Sequence, residues 1–479
     1  MSTVTPINAN SDSKVKMIKG LVCLLIPCLV LLCPVPSGLN PLAWKILAVY
    51  LGAVFGIILR PVPEAVVLIT AMGAVSVFFG QTKIALEAFG ETTPWLVLTA
   101  FIIGQCFVET GLGSRIAYFL IDKLGHSTLR LGYISTVTDL ILSPAIPSNT
   151  ARTGGLVFPI FQSLSVTLGS KPEQNPRGIG AFLMTLMYQN SLITGTMFIT
   201  AGAIMPMMIK LTNDIMHADI SWMGWATAMI VPGGLCLLIV PYMVYRLYPP
   251  DIKHVDNKKI AKEGYEKIGP MSRREKILAV LFVMAIIGWA TGSITKIDST
   301  AVALGLLAMC ILTGVISWNK VLECKPAWST FVWYAGIISL ANGLNKTKFF
   351  VWLGKVFEQN LNFTGLDPIL VLAALVIITV LPRYLFASTI AFVVTFIPVI
   401  FVLGAAAKLP AIPLLLLCAA SAQIASLMTH YGNAVGTVLY GAGYVPQGTW
   451  WKIGHIVTLV GLTIYFVVGL TWWKVLGLW

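Results

Sequence analysis

The sequence predicts an all-α polytopic membrane protein with about 11 transmembrane helices and two re-entrant hairpins, arranged as two inverted repeats. Of its 479 residues, 57% are hydrophobic and only 11% are charged, a composition that soluble globular domains do not have. Apolar runs of about 20 residues, long enough to cross a hydrocarbon layer, recur along the chain. A polar interruption of the apolar sequence, together with the segments around it, also occurs twice in the same order, which indicates an internal repeat.

The first half begins with a polar N-terminal tail at residues 1–17 and an extra first span at 18–36, without an evident cleavable signal. The first repeat covers 37–247, and the first hairpin within it covers 127–168. The spans predicted in this half lie at about 18–35, 43–60, 62–80, 95–121, 179–210 and 221–246.

A basic loop at 248–276 divides the halves and contains eight lysine and arginine residues, which predicts a cytoplasmic location. The second repeat covers 277–479 and contains the second hairpin at 367–406. Its spans are predicted at about 277–293, 299–317, 328–345, 411–443 and 453–473. Counting crossings from the loop predicts a cytoplasmic N-terminus, an external C-terminus, and hairpins that enter from opposite sides.

The stretch Ile141–Pro159 has Ser148, Asn149 and Thr150 at its centre, between apolar arms too short for a full crossing. Unwound backbone at membrane depth occurs where protein buries it or water reaches it, so this tip predicts a substrate site. The alternative is a loop at the membrane surface. A second copy at 381–398, together with GTMFITAG (195–202) and GTVLYGAG (436–443), favours the hairpin.

The tip chemistry suits a carboxylate ligand. Hydroxyl and amide groups donate hydrogen bonds without the cost of burying a fixed charge, and a helix N-terminus directs free N–H groups at an anion. The predicted substrate-binding residues are Ser148, Asn149, Thr150, Ser388, Thr389, Thr429, Gly195, Thr196, Gly436 and Thr437.

Three basic residues at membrane depth are candidates for balancing the substrate's charge, because ionisable groups there tend to be functional. They are Arg152, His430 and Arg383. The alternatives are snorkelling to the cytoplasm for Arg152, a buried structural role for His430 and internal pairing for Arg383. Asp139 and Glu109 are expected to pair within the helix bundle.

Ser148-Asn149-Thr150, the hairpin pair and the inverted halves resemble the divalent anion and sodium symporter family, over essentially the whole chain. The segments SNTAR and GNAVGTVLYGAG are similar to its bacterial antiporter branch, the citrate/succinate or tartrate/succinate exchangers. The resemblance implies an elevator mechanism and a homodimer. It also maps the second Ser-Asn-Thr onto 387–389, where Ala387 lacks a hydroxyl that a neighbour such as Thr429 would replace.

The function predicted is exchange of di- or tricarboxylates, of the succinate, malate, fumarate, 2-oxoglutarate, citrate or tartrate class, across the plasma (inner) membrane. The alternatives are Na⁺-coupled symport and an anion channel. No catalytic constellation, nucleotide loop or Cys/His cluster is present, so neither an enzyme, a cofactor nor a metal is predicted. The net charge of +13 is assigned to membrane orientation, and nucleic-acid binding is not expected.

Overall fold

The computed structural model describes residues 9–361, 363 and 365–479. Within these ranges the regular elements are helical, and the β-structure consists of one isolated bridge between Ser127 and His254. The predicted all-α class is confirmed. Residues 1–8 of the predicted tail lie outside the described residues, and the first helix begins at Ala9, well inside that predicted tail.

The helices of the first half are α1 (Ala9–Leu32), α2 (Pro41–Leu59), α3 (Glu64–Phe79), α4 (Thr82–Leu86), α5 (Thr92–Thr110), α6 (Leu112–Leu124), α7 (Thr128–Leu142), α8 (Phe158–Thr167), α9 (Gly180–Thr194), α10 (Ile204–Met216) and α11 (Trp222–Leu247).

The remaining helices are α12 (Asn257–Ile268), α13 (Arg273–Thr295), α14 (Ser299–Leu312), α15 (Trp318–Glu323), α16 (Lys325–Lys346), α17 (Phe349–Asn360), α18 (Pro368–Val380), α19 (Thr389–Ala406), α20 (Ala411–Ile424), α21 (Ala434–Gly441), α22 (Gln447–Ile464) and α23 (Leu470–Val475). Tighter 3₁₀ turns occur at Glu87–Gly90, Ile199–Ala201, Leu381–Leu385 and Ala425–Met428, and wider π-helical turns at Thr150–Val157 and Tyr465–Gly469.

Several helices begin where the sequence supplies a side chain that caps the first free backbone N–H groups. The Ser221 hydroxyl accepts from the Gly224 N–H, and the Asp367 carboxylate accepts from the Ile369 N–H. Ser272 and Glu275 form a reciprocal capping box at the start of α13. The apolar helices are therefore delimited by local polar chemistry.

Nine helices in the described part of the chain are long and apolar enough to cross a membrane, and α3 and α14 are shorter apolar helices. Length and composition thus agree with a polytopic membrane protein. The count of 11 spans plus two hairpins stays a prediction.

Ten helices of the first half recur in the same order in the second half. The series from α2 to α11 corresponds one to one with the series from α13 to α22, and a 3₁₀ turn follows both α9 and α20. Helix α1 precedes the repeats and α12 lies in the connection between them. The opposite membrane orientation of the two series stays a prediction.

Three details differ from the sequence analysis. The span expected at 95–121 is divided at Gly111, whose φ of 79° ends α5 in the left-handed region that favours glycine. The basic connection at 248–276 contains the helix α12. The similar octapeptides also occupy different places, because Gly195 follows the end of α9 whereas Gly436 lies inside α21. Their spacing is therefore not a structural correspondence.

The described residues form two compact units. The first consists of the described parts of Met1–Pro94 and Trp328–Asn362. Within it, the Ser339 hydroxyl accepts from the Ala88 N–H at 3.0 Å, and the Asn342 amide donates to Glu91 at 2.6 Å. The second unit, from the described parts of Trp95–Ala327 and Phe363–Trp479, contains both hairpins and both interrupted helices.

Candidate functional site

The first hairpin reverses at Pro147 to Asn149, between α7 and a π-helical stretch at Thr150–Val157 that continues into α8. Pro147 has no N–H to extend a helix. The Ser148 hydroxyl then accepts from the Ala151 N–H at 3.3 Å and caps the returning arm. Thr150 is partly exposed, and Asn149 is 8% exposed.

The second hairpin repeats this construction at Ser388, whose hydroxyl accepts from the Ala391 N–H at 3.3 Å and caps α19. Ser148 and Ser388 thus perform the same capping role, each for the N–H three residues later. The structural counterpart of Ser148 is therefore Ser388. The family motif instead pairs Ser148 with Ala387, one residue earlier. By the capping register Asn149 corresponds to Thr389, and Ala387 does not remove a capping hydroxyl.

Two helix breaks lie against these tips. The first separates α9 from α10, and a Cβ added at Gly195 within it would lie 2.8 Å from Asn149 Oδ1. The Ala203 N–H in the same break donates to the Pro147 carbonyl at 3.2 Å. The second break separates α20 from α21, and Asn433 within it donates to Thr389 Oγ1 at 3.1 Å. Each hairpin tip is therefore joined to the broken helix of its own half.

Contacts also connect the two halves of the site. The Tyr188 hydroxyl on α9 donates to the Thr429 carbonyl in the second break at 2.9 Å. A Cβ added at Gly154, after the first tip, would lie 3.6 Å from Val438 on α21. The tips and breaks thus form one cluster, on which four helix N-termini border: the starts of the π-helical stretch, α10, α19 and α21. Such N-termini favour an anion.

Arg152 is fully buried, and Asp139 Oδ2 lies 3.1 Å from its Nε. Asp139 also accepts from the Thr153 hydroxyl at 2.5 Å and from the Thr194 hydroxyl. The predicted internal pairing of Asp139 is therefore present. Arg152 has an anionic partner within the protein, so the structure does not place a free positive charge at the first tip.

The Arg152 guanidinium is also enclosed by oxygen atoms. It donates to Ile146 O (2.8 Å), Ala201 O (3.1 Å), Ser191 O (3.2 Å), Asn149 Oδ1 (3.1 Å) and Thr194 Oγ1 (3.1 Å). The arginine thereby holds the tip, the end of α9 and the first break together.

Arg383 performs the same joining role in the second half. It is 1% exposed and donates to Thr389 Oγ1 at 3.1 Å, Ser426 Oγ at 2.6 Å and the Gly432 carbonyl at 2.7 Å. Its guanidinium lies 5.0 Å from the centre of the Phe392 ring. Among the described residues no carboxylate lies within ion-pair distance, and its buried Nε has no hydrogen-bond partner there. Within the described part of the chain, Arg383 is thus a buried cation without an anionic partner.

His430 is partly exposed and lies among aromatic rings. It stacks on Tyr440, with ring centres 4.4 Å apart, and its Nδ1 accepts from the Trp451 indole N–H at 3.1 Å. His430 therefore lies in an aromatic cluster with Tyr440 and Trp451.

The other predicted residues fall in different surroundings. Thr429 is buried in the second break beside Gly432, where a Cβ would lie 3.0 Å from its Oγ1. Thr196 is fully buried and shares a hydrogen bond with Tyr465 at 2.9 Å, away from the tips. Gly436 packs on the Tyr188 ring, and the exposed Thr437 donates back to Ala434.

Asn433 is not among the sequence-predicted site residues, although it caps α21 by accepting from the Val435 N–H and donates to Thr389. An asparagine directly before an apolar helical run is a recognisable capping signal. The described residues contain no cluster of His, Cys, Asp and Glu able to hold a metal ion.

Comparison with known proteins places this site in context. Residues 14–479 match the family model described as the sodium:sulfate symporter transmembrane region. The inner membrane protein YbhI of Escherichia coli K12 is 41% identical over 98% of this chain and 99% of its own. The L-tartrate/succinate antiporter of the same organism is 34% identical over 93% of this chain and 96% of its own.

A solved structure shares the fold. The YdaH transporter of Alcanivorax borkumensis superposes with a TM-score of 0.61 at 13% sequence identity, covering 97% of this chain and 98% of its own. At that identity the likeness concerns the fold alone. Together with the all-helical architecture and its apolar helices, it identifies the molecule as having a membrane-transporter fold.

Proposed function

Because this chain belongs to the sodium:sulfate symporter family, the divalent anion and sodium symporters, we propose that it exchanges dicarboxylates across the plasma (inner) membrane by antiport. The chain is a membrane transporter and not an enzyme, since its family is one of symporters and a relative that matches over 93% of the chain is an antiporter. Within the di- and tricarboxylate class we favour C4 dicarboxylates, because the similar antiporter named above is named for tartrate and succinate.

The observation that supports this proposal is the cluster of two capped hairpin tips and two helix breaks. The tips present Ser148, Asn149 and Thr150 on one side and Ser388 and Thr389 on the other. Their hydroxyl and amide groups are donors suited to carboxylates, and four helix N-termini add positive potential. Discontinuous helices that direct their N-termini at an anionic ligand are characteristic of secondary transporters.

Support for independence from Na⁺ comes from the oxygen atoms that the two arginines contact. Each guanidinium is surrounded by carbonyl, hydroxyl and amide oxygens at a tip and its break. In transporters, unwound carbonyls and helix ends of this kind coordinate the coupling cation. Here Arg152 and Arg383 bind those oxygens, so no exchangeable cation is required. Of the three predicted charge-compensating residues, Arg383 is the one to which we assign this role.

The charge of the two arginines also supports the proposal of obligate exchange. With Arg152 neutralised by Asp139, Arg383 leaves one uncompensated positive charge at the unloaded site. Carrying that unpaired charge through a low-dielectric barrier is unfavourable. In the loaded site one substrate carboxylate pairs with Arg383 and the other is held by the donors and helix N-termini at the first tip, so we infer that the unloaded site returns more slowly than the loaded one. We therefore propose that substrate bound on one side must be replaced by substrate on the other before the cycle continues.

The mechanism we propose is elevator-type alternating access, in which the hairpins and broken helices move together. Support comes from the cross-contacts that tie them into one cluster, such as that of Tyr188 with Thr429. We also propose a homodimer, with the N-terminus cytoplasmic and the C-terminus outside.

The test is counterflow in proteoliposomes, with radiolabelled succinate outside and succinate, malate, tartrate, citrate or nothing inside, each with Na⁺ or with K⁺ as the cation. We expect uptake to require an internal dicarboxylate and to be equal in Na⁺ and K⁺. Na⁺-stimulated net uptake into empty vesicles would establish symport instead. Conductance without internal substrate would establish a channel.

A further inference from the structure

The two halves of the site share their construction but not their charge. In each half one buried arginine donates to the tip residue and to the break that lies against it. In the first half Asp139 neutralises Arg152. In the second half the aromatic face of Phe392 lies 5.0 Å from Arg383, which offers a partial negative potential but no full counter-charge.

Arg383 also fixes the direction of the Thr389 hydroxyl. A threonine hydroxyl has one hydrogen to donate and two lone pairs that accept. Arg383 Nη2 and Asn433 Nδ2 both donate to Thr389 Oγ1 at 3.1 Å, which uses both lone pairs. The one hydrogen of Thr389 can therefore only be donated, and among the described residues its acceptor is Ser426 Oγ at 3.5 Å, the limit of hydrogen bonding, because the Ser426 hydrogen goes to the Ala422 carbonyl. A ligand carboxylate is a stronger acceptor and would take this hydrogen, with the full charge of Arg383 behind it.

Arg152 orients Asn149 in the corresponding manner. It donates to Asn149 Oδ1 at 3.1 Å, so the Asn149 amide group turns its NH₂ away from the arginine. Among the described residues no acceptor receives a hydrogen bond from that NH₂. The Asn149 donor is likewise left for a ligand, but the charge behind it is already cancelled by Asp139.

We propose that the two ends of the ligand bind in unequal subsites: the subsite at Thr389 requires a carboxylate, whereas the subsite at Asn149 accepts a neutral polar group such as a carboxamide. Arg383 is the positioning residue that creates the difference. This inference rests on the proposed dicarboxylate exchange. It widens the ligand class to the monoamides of C4 dicarboxylates, which carry one carboxylate and one neutral acceptor.

Competition for succinate exchange in proteoliposomes tests the proposal. Unlabelled succinate, its monoamide succinamate and its diamide succinamide compete with radiolabelled succinate. We expect succinamate to inhibit within about fivefold of succinate, because a neutral acceptor keeps the Asn149 hydrogen bond. Succinamide is expected to be roughly 10- to 100-fold weaker, because a hydrogen bond backed by a charge is lost.

Two variants of Arg383 test its role through the difference in inhibition between succinate and succinamide, which a purely structural role of Arg383 would not change. Arg383→Gln should weaken inhibition by succinate and succinamate roughly 10- to 100-fold, towards the level of succinamide, and Arg383→Lys should restore part of the difference. Arg246→Gln is the matched control, since Arg246 binds Tyr242 at an exposed position outside the site.

The outcomes separate the two proposals. If the unmodified protein does not exchange succinate, the proposed function fails and this inference falls with it. If it exchanges succinate but succinamate competes no better than succinamide, both subsites require a charge and the inference alone is overturned. A preference for succinate over succinamide that survives in Arg383→Gln would also overturn it. The competition with unmodified protein decides the matter even if the variants fold poorly.

Discussion

Arg152 and Arg383 are both buried at a hairpin tip, yet we predict that removing them has opposite consequences. Arg152→Met leaves the Asp139 carboxylate buried without its counter-ion. Breaking a buried ion pair in this way typically costs about 3–5 kcal/mol of folding free energy. Arg383→Met removes a charge that has no protein anion, so the lost hydrogen bonds are offset by relief from burying the charge, and stability changes little.

A double substitution isolates the pair. Replacing both partners, Arg152→Met with Asp139→Leu, leaves no unpaired buried charge, and we expect it to recover more than half of the stability lost in Arg152→Met. Combining Asp139→Leu with Arg383→Met should show no such recovery, because these two residues share no ion pair. Arg246→Met, at an exposed position, serves as the control for loss of charge alone.

Thermal unfolding in detergent is the assay. At about 2.1 cal/mol/K of unfolding entropy per residue, 479 residues correspond to roughly 1 kcal/mol/K, so the expected loss lowers Tm by about 3–5 °C. Unfolding of a large membrane protein is often irreversible, so all variants are compared at one heating rate. Succinate exchange should fall roughly 10- to 100-fold in Arg383→Met despite its normal Tm. Equal Tm values for Arg152→Met and unmodified protein would refute the reasoning, as would a double variant no more stable than Arg152→Met.

The remaining predictions concern the tips, the first break and the topology. Asn149→Ala and Thr389→Ala should each reduce succinate exchange at least tenfold at an unchanged folded yield, because each removes a ligand donor and little packed volume; normal exchange in both would move the site elsewhere. Gly195→Ala should reduce the rate of succinate exchange while changing Tm little, because the added Cβ would lie 2.8 Å from Asn149 Oδ1 and displace that amide. A reagent confined to the cytoplasmic side should label a cysteine at Glu263 but not one appended after Trp479, and labelling of both from one side would contradict the proposed orientation.

Much of the fold can be predicted from the sequence because it depends on local chemistry. The apolar runs specify membrane helices, and capping residues such as Ser272 delimit them. Ser148 and Ser388 are also identifiable, since a hydroxyl between an apolar arm and a new helix is an N-cap signal. The sequence therefore determined the class, the hairpins and the polar groups at their tips.

The register between the halves could not be predicted from matching letters. The octapeptides beginning at Gly195 and Gly436 are similar in sequence but differ in structure. Gly195 directly follows the end of α9 at Thr194 and begins a break, whereas Gly436 lies inside α21, which has already begun at Ala434. Likewise, alignment to Ala387 misses that Ser388 is the capping counterpart of Ser148. Capping is defined by a hydrogen bond to the residue three positions later, and that bond is a property of the backbone path.

The partners of the charged residues were decided by tertiary structure alone. Arg152, Asp139 and Arg383 all appear in the sequence as ionisable groups at membrane depth, and nothing local distinguishes a paired arginine from an unpaired one. Packing of the two arms of the first hairpin against each other brings Asp139 on α7 to Arg152, whereas no described carboxylate reaches Arg383. Electrostatic interaction depends on distance and burial in three dimensions, so a one-dimensional sequence specifies which charges exist but not which of them cancel.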